Sequence, residues 1–377
     1  MSDILDYVDW RGDIPLKCSP VNFVDAMILS QIVLQDLSGC VGARGSSIMR
    51  CAKKYFAVRP KDNKLGKIIP REINDLFKKI ADSARFRALI VKNYVSDIDV
   101  ETEIQFSAMT VDAREINTRL VVFSGTDDTI VGWRENFNLI YKTPTGAQTE
   151  SVKYLDAAAE GFKGDVIVLG HSKGGHLSVY STVNCSDKTY AKISRAINLD
   201  GPGIPDGQLE AEKFGRRKRK IVTILPQGSL IGRLFEHGED FIIAHSVKCG
   251  LFQHDVFSWE VLGTEIKEDE DFTENGYGVD EGLRGVLSEM NAEERERFVD
   301  GFFGILTSTS CTTLTELFDS GPEVLKAFLK ADGDNKKAVN HTLLRILSNK
   351  HVRKFFMDTG KGLREKQAAE RAREEND

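Results

Sequence analysis

The chain has 377 residues, 41% of them hydrophobic and 29% charged, with a net charge of -6. That is the make-up of a globular protein large enough for one elaborated domain or two. The mild acidity argues against a general nucleic-acid binder, and no apolar run approaches the length needed to span a bilayer.

The start, "MSDILDYVDWRGD", is acidic and lacks the basic-then-apolar order of a secretory signal. Cys18, Cys40, Cys51, Cys185, Cys249 and Cys311 are scattered without a CxxC pair, which suggests neither a zinc site nor a disulfide framework. A reduced, cytoplasmic setting is expected. The segment "SPVNFVDAMILSQIVLQDL" predicts a nearly fully buried helix, begun near Pro20 and stopped by Gly39. The stretch from Val41 to Pro70 is polar, basic and interrupted by glycine and proline, and is expected to be an irregular insertion. "REINDLFKKIADSARF" predicts a helix with Ile73, Leu76, Phe77 and Ile80 on one face.

From Ala88 the texture changes. "ALIVKNYVSD", "TEIQFSAMTV" and "TRLVVFSG" are rich in β-branched and aromatic residues and predict consecutive strands with a hairpin. Helices are predicted at "VGWRENFNLIY" and "TESVKYLDAAAEGF", the second ended by Gly161. "DVIVLG" is a wholly apolar strand of the kind buried on both faces of a parallel sheet. It is followed by a helix at "GGHLSVYSTVNC" and by strands at "ISRAINLD", "KIVTILP" and "DFIIAHSVKC". This alternation predicts an α/β layered sheet. An acidic stretch near residue 270 marks a boundary, and the pattern after it is helical to the end.

Gly170-His171-Ser172-Lys173-Gly174 sits between an apolar strand and a helix, the setting of a G-x-S-x-G nucleophile elbow. Such a turn lifts a serine hydroxyl above the sheet edge, and Gly170 and Gly174 leave room for it. The alternative is an ordinary glycine-rich turn. An activated serine needs a base, and the base needs an orienting acid. Asp200, at the end of the next strand in "INLDGPG", is the expected acid; otherwise it is a turn residue. His254 in "LFQHDVFSW" is the expected base, with His245 next, while His171 and His176 lie too close to the serine in sequence. The backbone amides of Thr126 and Lys173 are expected to form an oxyanion hole. The run "RRKRK" at Arg216 to Lys220 is expected to be a solvated loop rather than an anion site. No phosphate-cradling motif is present.

Two segments together carry a family resemblance. "VVFSGTDDTIVGWRENF" resembles the F-R-G-T … W … N segment of class 3 lipases, and "VIVLGHSKGGHLSVY" resembles their G-H-S-x-G-G nucleophile segment. Over Ile4 to Val261 the chain is more closely similar to a bacterial group of lipase-like hydrolases, the Mbeg-like domain family, through "DYVDWRGD", "EIQFSAMT", "NLDGPG" and "QHDVFSW". The resemblance implies an α/β-hydrolase fold and supports Ser172 and His254. The chain departs from it twice. Ser124 stands where many class 3 lipases have arginine, and the loop "ILPQGSLIG" lacks the acid that they carry there. An acid one strand earlier, in a segment like "INLDGPG", is the arrangement of pancreatic-type lipases.

The expectation is therefore an α/β-hydrolase domain over residues 1–265, with the insertion near 41–70, and a helical C-terminal appendage over 280–377. The expected activity is a serine hydrolase of carboxylic esters, acting on an acyl lipid or a small acyl ester with no metal or organic cofactor. Transient contact with a membrane surface is compatible with that reading; a nucleic-acid partner and a transmembrane segment are not expected. The alternatives are a non-catalytic lipid- or protein-binding module on the same fold, and a thioesterase or peptidase on the same residues.

Overall fold

In the computed structural model the described residues are 2–59, 69–205 and 207–274, with a discontinuous set from 278 to 357. Among them an eight-stranded sheet runs in chain order: β1 Ser46–Ser47, β2 Ile90–Asp99, β3 Ile104–Ala113, β4 Thr118–Phe123, β5 Asp165–His171, β6 Ile193–Leu199, β7 Ile221–Pro226 and β8 Asp240–Ala244. Strands β1 to β4 pair antiparallel; β4 to β8 pair parallel. The predicted hairpin is β2–β3.

Burial on both faces explains the apolar strands. On β5, Val166 and Val168 join one core while Ile167 and Leu169 face the other. The first core is shared with the helices α6 (Gly146–Ala159) and α7 (Lys173–Asn184) through Leu155, Leu177 and Val183. The second is covered by α1 (Ile4–Arg11), α2 (Phe23–Ile32), α3 (Ile48–Val58) and α4 (Glu72–Asp82). Helices on both faces of a mostly parallel sheet make this an α/β-hydrolase fold.

Three elements differ from expectation. The helix α2 stops at Ile32, well before Gly39. Its end is tightened by three-residue bonds, Leu34 N to Gln31 O at 3.1 Å and Gln35 N to Ile32 O at 3.1 Å. The stretch expected to be irregular contains α3, capped by the Ser47 hydroxyl, which accepts from Arg50 N at 3.3 Å. Ile48, Cys51, Ala52 and Tyr55 supply a buried face at helical spacing that the basic surface residues obscure. Residues 60–68 of that stretch lie outside the described residues. Strand β8 ends at Ala244, so His245 follows it rather than lying within it.

The basic run is a helix end and a 3-10 turn rather than a loop, with Arg216, Lys218 and Arg219 exposed as expected and Arg217 buried. The buried Arg217 donates to the carbonyls of Thr182, Val183 and Cys185 and pairs with Asp187. Lys220 Nζ reaches Tyr190 O at 3.0 Å. These cations satisfy helix C-termini that would otherwise be left without donors.

The helix Ala292–Thr307 packs on α5 (Ile130–Asn138), with Ile130, Phe298, Val299 and Phe303 buried together and the Phe137 and Phe302 rings stacked at 6.0 Å. The helix Gly333–Ser348 packs on it in turn. Most of 312–332 and all of 358–377 lie outside the described residues. All six cysteines are free thiols. No described helix is long and apolar enough to cross a membrane.

Candidate active site

The sheet brings Ser172 and Asp200 to the carboxyl ends of the adjacent parallel strands β5 and β6, and His254 comes to Asp200 from a 3-10 turn, Gly250–His254, beyond β8. Ser172 follows β5 and caps α7 with φ 58° and ψ -127°, a left-handed backbone that costs a non-glycine residue about 1–3 kcal/mol. Its surroundings hold it there. Ser172 N donates to Leu199 O at 2.9 Å, and Ser172 O accepts from His176 N at 3.1 Å. A Cβ on Gly174 would stand 2.2 Å from Phe123 O, and one on Gly170 would stand 2.2 Å from Gly174 C. Only glycine permits β4, β5 and α7 to approach this closely. The serine hydroxyl is not spent on capping the helix.

Asp200 ends β6 in the same left-handed region, with φ 48°. It is fully buried, and its amide donates to Ile224 O at 2.8 Å. Its Oδ2 lies 2.6 Å from His254 Nδ1. Its Oδ1 accepts from the Ser229 hydroxyl at 2.5 Å. Ser229 lies in "ILPQGSLIG", the loop that has no acid of its own. It supplies a donor to the acid from the neighbouring strand, a part that sequence reading missed because a lone serine in a loop carries no signal.

The loop of His254 is held by its flanking residues. Trp259 Nε1 donates to Gln253 O at 2.8 Å, and Gln253 Oε1 accepts from Gly228 N at 2.9 Å. With Nδ1 on Asp200, the other ring nitrogen of His254 is the one left for a proton-transfer role. Among the described residues, no hydrogen bond joins the Ser172 hydroxyl to that ring. The ring of His171, the residue before Ser172, lies 4.5 Å from the His254 ring, centroid to centroid. His171 Nε2 lies 2.7 Å from His254 O. A carbonyl only accepts, so this nitrogen carries the proton. Burial, then the neighbouring His254, hold the pKa of His171 well below the ordinary value, so the ring is neutral. His176 is also neutral, its pKa pushed down to about 4 chiefly by burial. Its Nδ1 faces Pro202 O at 3.0 Å. His245 is turned elsewhere, with Nδ1 2.9 Å from Asp269 Oδ2.

The loop after β4 approaches the elbow: a Cβ on Gly125 would lie 3.5 Å from Ser172 Cβ. Thr126, the next residue, is held by its hydroxyl, which accepts from Asn136 Nδ2 at 2.5 Å. The amide of Lys173 is the first of α7 and, like the other leading amides of a helix, has no intrahelical partner. The Lys173 side chain is buried and paired with Glu135 of α5 at 3.1 Å. Its Nζ also donates to Gln105 O at 2.5 Å and to Gln105 Oε1. Glu135 in turn accepts from Gln105 N at 3.0 Å and Ala147 N at 2.8 Å. Every hydrogen of this ammonium is engaged, and the carboxylate is anchored at both oxygens. The pair ties the start of α7 to β3, α5 and α6.

An eight-stranded, mostly parallel sheet carrying a strained serine at a strand-to-helix turn defines the class: this is an α/β-hydrolase fold. The chain belongs to the Mbeg1-like family, whose model matches residues 80–304. No curated protein matches it. Among solved structures it is similar to the Lip2 lipase of Yarrowia lipolytica, at 13% identity over 62% of this chain and 80% of that one, with a TM-score of 0.36. It is also similar to a fungal lipase in complex with an inhibitor, at 11% identity over 59% and 76%, with a TM-score of 0.34. A triacylglycerol lipase from Penicillium expansum matches at 13% identity over 46% and 73%, with a TM-score of 0.28.

Proposed function

We propose that the protein is a serine hydrolase that cleaves a carboxylic ester, of an acyl lipid or a small acyl ester, through an acyl-enzyme. Ser172 Oγ attacks the ester carbonyl carbon while the free nitrogen of His254 takes its proton. Asp200 fixes the ring tautomer and stabilises the imidazolium that forms. The negative charge on the carbonyl oxygen is received by the amides of Thr126 and Lys173, each worth about 3 kcal/mol in the transition state. The imidazolium then protonates the leaving alcohol, and water repeats the sequence to release the acid. No metal or organic cofactor enters these steps. Residues 1–265 form the hydrolase unit in this reading, with 280–377 appended to it.

The observation that carries the reading is the buried Asp200 carboxylate 2.6 Å from His254 Nδ1, beside a serine held at φ 58°. A fluorophosphonate probe tests it. The expected result is covalent labelling of the wild-type protein at Ser172 and none of a folded Ser172→Ala variant. Labelling that persists in the variant places the nucleophile elsewhere. A wild-type protein that takes no label is a binding module on a hydrolase fold. Esters, thioesters and peptides offered in parallel identify the bond cleaved, with esters expected to turn over fastest.

A further inference from the structure

Behind Asp200 lies a second buried histidine–carboxylate pair. The side chains of His237 and Glu239 are only 5% and 3% exposed, with His237 Nδ1 2.9 Å from Glu239 Oε1. On its other side, His237 Nε2 lies 2.6 Å from Gly232 O. A carbonyl oxygen has no hydrogen to give, so Nε2 must donate. Glu239 Oε1 already accepts the Thr223 hydroxyl at 2.6 Å, as an ionised carboxylate does. Both ring nitrogens therefore face acceptors, an arrangement that only a doubly protonated ring fully satisfies. Glu239 agrees with this: burial alone would raise its pKa, but the hydrogen bond and charge of His237 hold it below the ordinary value. His176, on α7, feels both charges and is itself neutral.

The pair is connected forward to the site. Gly232 N donates to the Ser229 hydroxyl at 3.1 Å, and that hydroxyl donates to Asp200 Oδ1 at 2.5 Å. The Gly232 turn presses directly on the acid, since a Cβ there would stand 2.3 Å from Asp200 Oδ1. An unbroken line thus runs from Glu239 through His237, Gly232 and Ser229 to Asp200 and His254. We infer that His237 and Glu239 are a buried imidazolium–carboxylate pair that positions Asp200 through the Gly232 turn and Ser229, and so sets the orientation of the His254 ring. The inference rests on the proposed roles of Asp200 and His254. In it His237 is a positioning residue and touches no substrate.

The test uses the full chain with 15N-labelled histidine. At neutral pH both ring nitrogens of His237 are expected to carry protons, because each faces an acceptor, Glu239 Oε1 and Gly232 O. A neutral His237 ring at that pH overturns the pair, and this measurement needs no variant to fold. The His254 Nδ1 proton facing Asp200 is expected as a low-field line in the wild-type protein, displaced or lost in His237→Gln. A line missing from the wild type, or unchanged in the variant, overturns the positioning role. Fluorophosphonate labelling at Ser172 is expected to slow about tenfold in His237→Gln, the effect of a slightly misplaced base; an unchanged rate also overturns it. Wild-type protein that takes no label speaks only against the hydrolase reading, because the two proton signals are read without turnover.

Discussion

Two glycines separate the elbow from ordinary turns. Gly174 has no room for a side-chain atom, because a Cβ would stand 2.2 Å from the Phe123 carbonyl oxygen, which is backbone and cannot move aside. Gly174→Ala is expected to lower stability by about 1–3 kcal/mol through overpacking. It should also slow labelling of Ser172 by about a hundredfold, the loss that a displacement of about 1 Å brings. Gly161 has φ +66° and open space around it. Gly161→Ala is expected to cost about 1 kcal/mol for the left-handed backbone and to leave labelling per folded molecule unchanged. Thermal melting and active-site titration on the same samples check both; equal labelling by wild type and the Gly174 variant means that Gly174 does not shape the turn that holds Ser172. Ser172 and the glycines around it were legible because a turn this tight restricts its residues locally. Ser229, Glu135 and the link from His171 to the His254 carbonyl were not. Each works through a partner far away in the chain: Ser229 is 29 residues from Asp200, Glu135 is 38 from Lys173, and His171 is 83 from His254.

At the scale of elements, the Lys173–Glu135 pair joins the helix that presents the serine to the helix that holds Thr126. Both charges are almost fully buried, with side chains 3% and 2% exposed. Removing one partner strands the other, so Lys173→Met and Glu135→Leu are each expected to cost about 3–5 kcal/mol. The double variant, which leaves no orphan charge, is expected to recover much of that loss. Denaturant midpoints of the three variants check it; single variants as stable as wild type refute the coupling. β2 to β8 and α4 to α7 were legible because an apolar run bounded by turn residues has few other uses. α3 was not. Its buried face of Ile48, Cys51, Ala52 and Tyr55 is interleaved with arginine and lysine, and the glycines and proline around it suggested irregular chain. The end of α2 was misplaced for a related reason. Leu34 and Leu37 continue the apolar pattern past Ile32 because the turn after the helix is itself packed against the core.

For the whole molecule, two buried neutral histidines set a direction of pH dependence. The pKa of His176 falls from 6.5 in the free residue to about 4 in the fold, and that of His171 falls well below 6.5. Between the folded and unfolded values the unfolded chain binds more protons, so stability rises with pH there and is lost on acidification. The window opens near pH 6.5 and extends to about pH 4 for His176. Denaturant midpoints across it are expected to fall steadily as the pH is lowered, and less steeply in His176→Asn. A flat profile means that these rings titrate normally. The order of the sheet has a consequence for how the protein is made. Its strands sit side by side in the order in which a ribosome emits them, so each arriving strand finds its neighbour already out. Ser172 and its turn emerge after the fifth of the eight strands, while His254 follows Asp200 by 54 residues and comes after the last parallel strand. On the proposed reading, a nascent chain carries its nucleophile for a long stretch of synthesis without the means to use it. The hydrolase becomes competent only when the entire eight-stranded sheet has been delivered.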